Sequence, residues 1–191
     1  MLYINGDGHA AAAQAVNPHT FAQDDPSLFY MGRAPHPENL SASWGKLLSV
    51  TLRSAFRCDA EGNSNNDRII TSTQKWLADA GRGHSDLLLV IQWNPRESRA
   101  HNVIWQFHQE LQEQNIRHIF FNGNGDFGTT IDQKDWGASY IGPYDANLSY
   151  SSVVQAQGVD TVMPNSSYFG QDGHSVFFRF ILDYIIKHQF V

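Results

Sequence analysis

The sequence predicts a three-layer α/β/α domain built on a mainly parallel sheet. Short apolar runs alternate along the chain with segments whose apolar residues recur at helical spacing, as in successive βαβ units. Residues 87–91 form an uninterrupted apolar run, which is typical of a strand covered by helices on both faces. With 191 residues, of which 41% are hydrophobic, the chain has the size of a single domain, 1–191.

Apolar spacing and capping residues place the individual elements. In the first long helix, Trp44 and Leu48 share a face, and Ser41 or Ser43 can cap its start. Asn66 or Asp67 can cap the next helix in the same way. Strands are predicted at 2–5, 55–60, 86–93 and 117–121, and helices at 41–56, 68–80, 98–114, 151–157 and 175–188.

An irregular excursion is predicted at 17–39, between the first strand and the first long helix. It holds four prolines, and loops of this length inside a compact domain are usually functional or mobile. We expect it to form either a lid or a subunit contact, and the sequence leaves this choice and the oligomeric state open.

Composition excludes several classes of protein. A net charge of −6, with Lys and Arg scattered singly, argues against a nucleic-acid partner. No apolar stretch reaches membrane-spanning length and no signal peptide is visible, so we expect no membrane partner and a cytoplasmic location. The single cysteine, Cys58, excludes an intramolecular disulfide, and its apolar-flanked position predicts a small buried side chain.

The turn Gly6-Asp7-Gly8-His9 follows the first strand directly and precedes four alanines, which predicts a strand, a tight turn and a helix start. Open α/β sheets bind ligands at this carboxyl edge, where backbone N–H groups suit an anion or a polarised carbonyl. Glycine permits close approach of a ligand, although a turn also needs glycine for its backbone. The polar turns 61–67 and 93–97 should meet at the same edge.

Asp172 and His174 stand just before the last predicted helix. An acid beside a histidine can act as a base-and-orienter pair, in which the carboxylate fixes the tautomer of the imidazole. The alternative is an ordinary turn with a capping role. The nine histidines show no metal-ligand spacing, so neither a metal nor another cofactor is expected.

The order of these motifs resembles the SGNH (GDSL-type) hydrolases, which are flavodoxin-like α/β esterases and acyl hydrolases. The resemblance spans nearly the whole chain, and its opening and closing motifs look most like small SGNH-like proteins of tailed bacteriophages, particularly cyanophages. It implies a small-molecule, acylated or glycan substrate. It also implies His174 as base and Asp172 as its orienter, with Gly8, Gly62 and Asn94 as oxyanion or ligand-binding residues.

Two positions depart from the family pattern. Gly8 stands where the family has its nucleophilic serine, and Asp172 is two residues before the histidine instead of three. Substitutes for the nucleophile are His9, Ser64, Ser43, or a water activated by His174 or Asp7; an engineered Gly8 is a further alternative. Two functions therefore stay open: a hydrolase-like protein with impaired activity, or a non-catalytic binding or virion-associated module that uses the same cleft.

Overall fold

The computed structural model describes residues 1–13, 15–16, 36–62, 64–79, 86–94, 100–122, 135–141, 150–163 and 168–191. Within them lies one five-stranded sheet. Its strands are β1 (Leu2–Asn5), β2 (Phe56–Cys58), β3 (Leu88–Trp93), β4 (Arg117–Asn122) and β5 (Tyr140–Ile141).

The strand order is β2-β1-β3-β4-β5, and every pair is parallel. The chain therefore runs outward from β1 to β2 and then returns to the other side of β1 for β3. This reversal makes the carboxyl ends of β1 and β3 the topological switch point, where open α/β sheets bind their ligands. Asn5 pairs with Ile91 there, so the turns after both strands begin at the same edge.

Helices cover both faces of the sheet. The described helices are α1 (Pro37–Ser41), α2 (Trp44–Thr51), α3 (Asn66–Asp79), α4 (Ala100–Glu113), α5 (Tyr150–Gln157), α6 (Val159–Val162) and α7 (Gln171–Lys187). None of them is long and apolar enough to cross a membrane.

Alternation along β1 divides the core into two apolar layers. Leu2 and Ile4 pack into the layer under α2 and α7. Tyr3 points to the layer under α3 and α4, where its ring stacks on Trp76 at 4.3 Å. Full burial of one such side chain contributes about 1.5–3 kcal/mol. The predicted three-layer fold is confirmed.

The predicted helix at 41–56 is too long at both ends: Ser41 is the last residue of α1, a second helix covers Trp44–Thr51, and Phe56 already belongs to β2. Ser43 caps the second, α2, because its Oγ accepts the N–H of Lys46 at 3.0 Å, as one of the two predicted caps would. The helix ends at Thr51, since Arg53 adopts a φ of +49° that cannot continue it.

The cap of α3 is neither of the two residues predicted for it, Asn66 and Asp67. Helix α3 begins at Asn66, and its first turn is capped by Asn65, whose Oδ1 accepts the N–H of Arg68 at 2.8 Å.

Of the predicted excursion at 17–39, residues 17–35 lie outside the described part of the chain. Its last residues belong to α1.

Candidate functional site

Gly6 makes the sharp turn at the carboxyl end of β1. Its φ is +154°, and a Cβ there would lie 2.8 Å from the Cβ of Ala10 and 2.9 Å from the Cβ of Gln92. Its N–H donates to Oδ1 of Asn5 at 2.8 Å. Both the backbone angle and the lack of space therefore require glycine at this position.

The segment after Gly6 is a set of hydrogen-bonded turns instead of the predicted regular helix start. The N–H of Ala11 donates to the carbonyl of Asp7 at 3.0 Å, as in a helix, but the N–H of Ala13 donates to the carbonyl of Gly8 at 2.8 Å. The left-handed φ of +54° at Ala12 causes the change of pattern.

Asp7 and His9 form the polar side of this turn. Oδ1 of Asp7 accepts the backbone N–H of His9 at 2.9 Å and lies 3.6 Å from Nδ1 of the same residue. Burial alone would raise the pKa of Asp7, but the hydrogen bond and charge of His9, with help from the Gln92 amide, outweigh it and hold the pKa below its usual value. Asp7 is therefore a carboxylate at neutral pH.

Gly8 lies against the ring of Tyr168. A Cβ at Gly8 would be 2.5 Å from Cε1 of that ring and 3.0 Å from its hydroxyl oxygen. The space that a side chain at position 8 would need is therefore filled from the segment that leads into α7.

The predicted dyad of Asp172 and His174 is not assembled in this structure. Helix α7 begins at Gln171, and not at 175 as predicted, so both residues lie in its first turn. Residues two apart on a helix do not face each other. Accordingly, the Asp172 side chain is exposed while His174 is completely buried, so Asp172 is not placed to orient the imidazole.

His174 takes a different partner. Its Nδ1 accepts the backbone N–H of Trp44 at 3.3 Å, so the imidazole satisfies a donor at the first residue of α2. With Nδ1 accepting, the proton is on Nε2, which is buried and has no hydrogen-bond partner among the described residues. Burial, with a smaller contribution from His9, lowers the pKa of His174 to about 3. It is therefore neutral and poorly suited to gain a proton.

Phe169 connects the two halves of the predicted site. Its buried ring makes edge contacts with His9 at 5.6 Å and with His174 at 5.9 Å between centroids. The β1 turn and the start of α7 are thus neighbours, as expected from the sequence, but an aromatic ring contacts both histidines.

Asn94 and Gly62 lie at the same edge of the sheet, after β3 and β2. The side chain of Asn66 holds Asn94 by two hydrogen bonds, one from Nδ2 to the carbonyl and one from the N–H of Asn94 to Oδ1, each 2.8 Å. Within the described part of the chain, the N–H groups of Gly8 and Gly62 donate to no acceptor. Their oxyanion roles stay predictions.

The substitute nucleophiles have weak support from geometry. Ser43 is a helix cap, with its Oγ donating to the carbonyl of Leu40 at 2.7 Å. Ser64 is buried, and no described hydrogen bond joins it to His174. Burial raises the pKa of the Cys58 thiol to about 12, which disfavours the reactive thiolate. Among the described residues, no three His, Cys, Asp or Glu side chains gather as a metal site.

No protein-family model and no curated protein matches the sequence. A solved structure from Desulfitobacterium hafniense, described as a lipolytic protein of the G-D-S-L family, does match the fold with a TM-score of 0.54. The similarity covers 96% of this chain and 98% of that one, at 13% identity. The chain has an SGNH-type fold. At this identity the likeness concerns the SGNH-type architecture alone.

Sequence reasoning missed four residues that shape the site. Three of them form hydrogen bonds with residues that are far away in the sequence: Trp44, Asn66 and Gln92. Tyr168 lies shortly before the last helix, at a position that no motif marks. The available signal was the absence of a side chain at Gly8, which raises the question of what fills that volume.

Proposed function

We propose that this chain is a hydrolase-like protein of SGNH type that binds a ligand at the carboxyl edge of the sheet without serine-dependent ester hydrolysis. The hydrogen bond from the N–H of Trp44 to Nδ1 of His174 carries this proposal. In a serine esterase that nitrogen donates to a carboxylate, so that Nε2 is free to take the proton of the serine. Here Nδ1 accepts, and position 8 has no hydroxyl.

The expected loss of turnover decides between a weakened enzyme and a binding protein. Loss of the nucleophile or the base of a serine triad costs about six orders of magnitude in turnover. What survives comes from oxyanion stabilisation and binding. Because both groups are affected here, we expect no hydrolysis that depends on His174.

The polar groups at the edge favour a small molecule or glycan as ligand. The Asp7 carboxylate can accept from hydroxyl groups, and the N–H group of Gly62 can donate to ligand oxygens. Such paired donors and acceptors suit a compound rich in hydroxyl and carbonyl oxygens. We propose neither a nucleic acid nor a membrane as partner.

The resemblance to phage proteins supports a finer proposal about origin. We infer that the chain is phage-encoded and acts in the host cytoplasm, with association with the virion as the alternative. Mass spectrometry of purified virions and of infected cells after particle removal would separate the two locations.

The activity is tested with p-nitrophenyl butyrate on the chain as it stands and on His174→Asn and His9→Gln variants. We expect the same background rate in all three. Turnover by the natural chain that disappears in His174→Asn, with folding intact, would contradict the proposal. Turnover that disappears only in His9→Gln would instead support water activation by the Asp7–His9 pair.

Binding is tested on an array of acylated and unacylated glycans, with Asp7→Asn as the paired variant. We expect glycan binding that Asp7→Asn weakens, since the substitution removes the carboxylate that accepts from hydroxyls. If the natural chain binds no glycan on the array, the result argues against glycans as the ligand class.

A further inference from the structure

The absence of a side chain at position 8 does not follow from the backbone. Gly6, two residues earlier, has a φ of +154° that strongly favours glycine, whereas Gly8 is not among the residues of positive φ. The φ of residue 8 would therefore not penalise an alanine or a serine there. The backbone of the turn therefore does not explain why residue 8 is a glycine.

That space is filled by the ring of Tyr168. Besides the approaches of Cε1 and the hydroxyl oxygen, Cζ lies 2.9 Å from the Cβ position of residue 8. Real Cβ atoms essentially never come this close to a neighbour. The edge of the ring therefore occupies the volume that a side chain at position 8 would need.

The Tyr168 ring has contacts that favour this position. It packs on the His9 ring with 5.0 Å between centroids. The next residue, Phe169, is completely buried, and the N–H of Gly170 donates to the carbonyl of Val162 at 2.8 Å. The ring therefore has a packing partner in this position, and the main chain that follows it is anchored.

We propose that Tyr168 is a specificity-determining residue of this site, which excludes acyl groups from the corner at Gly8 and admits only ligands that bind outside it. An ester carbonyl must come within bonding distance of a nucleophile at position 8 to react. The tyrosine ring stands in that path. The ligand is therefore an unacylated, hydroxyl-rich compound; this choice of ligand rests on the proposed function, while the exclusion itself does not.

Tyr168 does not replace the serine as a nucleophile. Burial raises the pKa of its phenol, and the negative charge of Asp7 raises it further. The hydroxyl therefore stays protonated at neutral pH, which leaves the ring as a neutral obstacle.

A double-mutant cycle tests the competition for space without any ligand. Gly8→Ala and Gly8→Ser should each lower Tm by about 2–12 °C, since overpacking of this kind costs about 1–3 kcal/mol. In a Tyr168→Ala background the same changes should cost little. Tyr168→Phe keeps the ring and should give no relief.

Gly173→Ala is the matched control for the cycle. A Cβ there would lie 2.8 Å from the Val162 carbonyl and the Phe169 ring, so its cost should be the same with or without Tyr168. If Gly8→Ala lowers Tm equally in both backgrounds, or fails to fold in both, the exclusion is wrong. If Gly8→Ala fails to fold alone but folds together with Tyr168→Ala, the result supports the exclusion.

Ligand selectivity is read on the same glycan array. The natural chain and Tyr168→Phe should prefer unacylated glycans, and Tyr168→Ala should gain at least several-fold in signal on acylated ones. No gain in Tyr168→Ala overturns the selectivity. If the natural chain binds no glycan, the proposed function and the ligand assignment are wrong. If Tyr168→Ala still relieves the cost of Gly8→Ala in that case, the exclusion itself remains supported.

Discussion

The turn after β1 and the first turn of α7 meet in one corner of the molecule, but they differ in what fixes their residues. At the β1 turn, Gly6 is required by its own backbone angle and by the atoms around it. At the start of α7, the extended backbone of Gly170 precedes a helix that carries Asp172 outward and His174 into the core.

The comparison teaches that a site can keep the path of its backbone without keeping its chemistry. Backbone turns are specified locally, so a short motif suffices to produce them. A proton relay needs side chains that point at each other. A shift of the helix start by one turn is enough to separate them.

Gly6→Ala should be the most damaging change at the β1 turn. It combines a φ of +154° with approaches below 3 Å to Ala10 and Gln92, for a cost of about 2–6 kcal/mol. Urea denaturation measures it. A cost below about 1 kcal/mol would remove the distinction between a turn fixed by its backbone and a helix start fixed by its side chains.

His174→Ala should cost about 2–4 kcal/mol, because it empties a buried volume and leaves the N–H of Trp44 without its acceptor. His174→Asn keeps a short acceptor and should recover part of the loss. Thermal and urea unfolding measure both variants. Equal stability of the natural chain and His174→Ala would show that the histidine is not structural.

Acid should destabilise the protein in a window set by two buried histidines. The pKa of His174 is lowered to about 3 and that of His118 to about 4, in both cases mainly by burial. An exposed histidine titrates near 6.5, so the unfolded chain binds these protons more readily. Their contribution is complete above about pH 6.5 and is lost as pH falls toward the folded-state values.

Each histidine adds at most about 1.4 kcal/mol of lost stability per pH unit within its window. Urea denaturation from pH 7 to pH 4 gives the slope, and His174→Asn and His118→Gln should each flatten it. A slope that neither variant changes would mean that these imidazoles are not kept neutral by the fold.

Asp172→Asn should have the smallest effect. The side chain is exposed and does not partner His174, so stability should change by less than about 0.5 kcal/mol. The pH dependence of unfolding should also stay the same. A variant that shifts the titration of His174, followed by NMR, would restore the predicted dyad and erase the difference between the two turns.

Most of the architecture could be predicted from the sequence because it depends on local patterns. The run in β3, the spacing of Trp44 and Leu48, and the cap at Ser43 are each readable over a few residues. The predicted start of α7 is four residues too late because Gly170 and Gly173 suggest a loop. In the structure the carbonyl of Gly170 accepts the N–H of His174 at 3.1 Å and opens the helix.

The arrangement of the site could be predicted only as a neighbourhood. Parallel strands bring Gly8, Gly62 and Asn94 to one edge whatever their side chains do. Which group fills the space at Gly8, and which donor meets His174, depend on rotamers and on contacts with Tyr168 and Trp44. No periodicity or spacing encodes those contacts.

The hydrogen bond between Trp44 and His174 joins residues 130 positions apart. At a ribosomal rate of about 5–20 residues per second, the donor is made roughly 10 s before its acceptor. During that time the N–H of Trp44 lacks this acceptor, and one apolar layer lacks α7. We therefore expect this layer to close late, with the bond contributing to slow unfolding more than to fast folding.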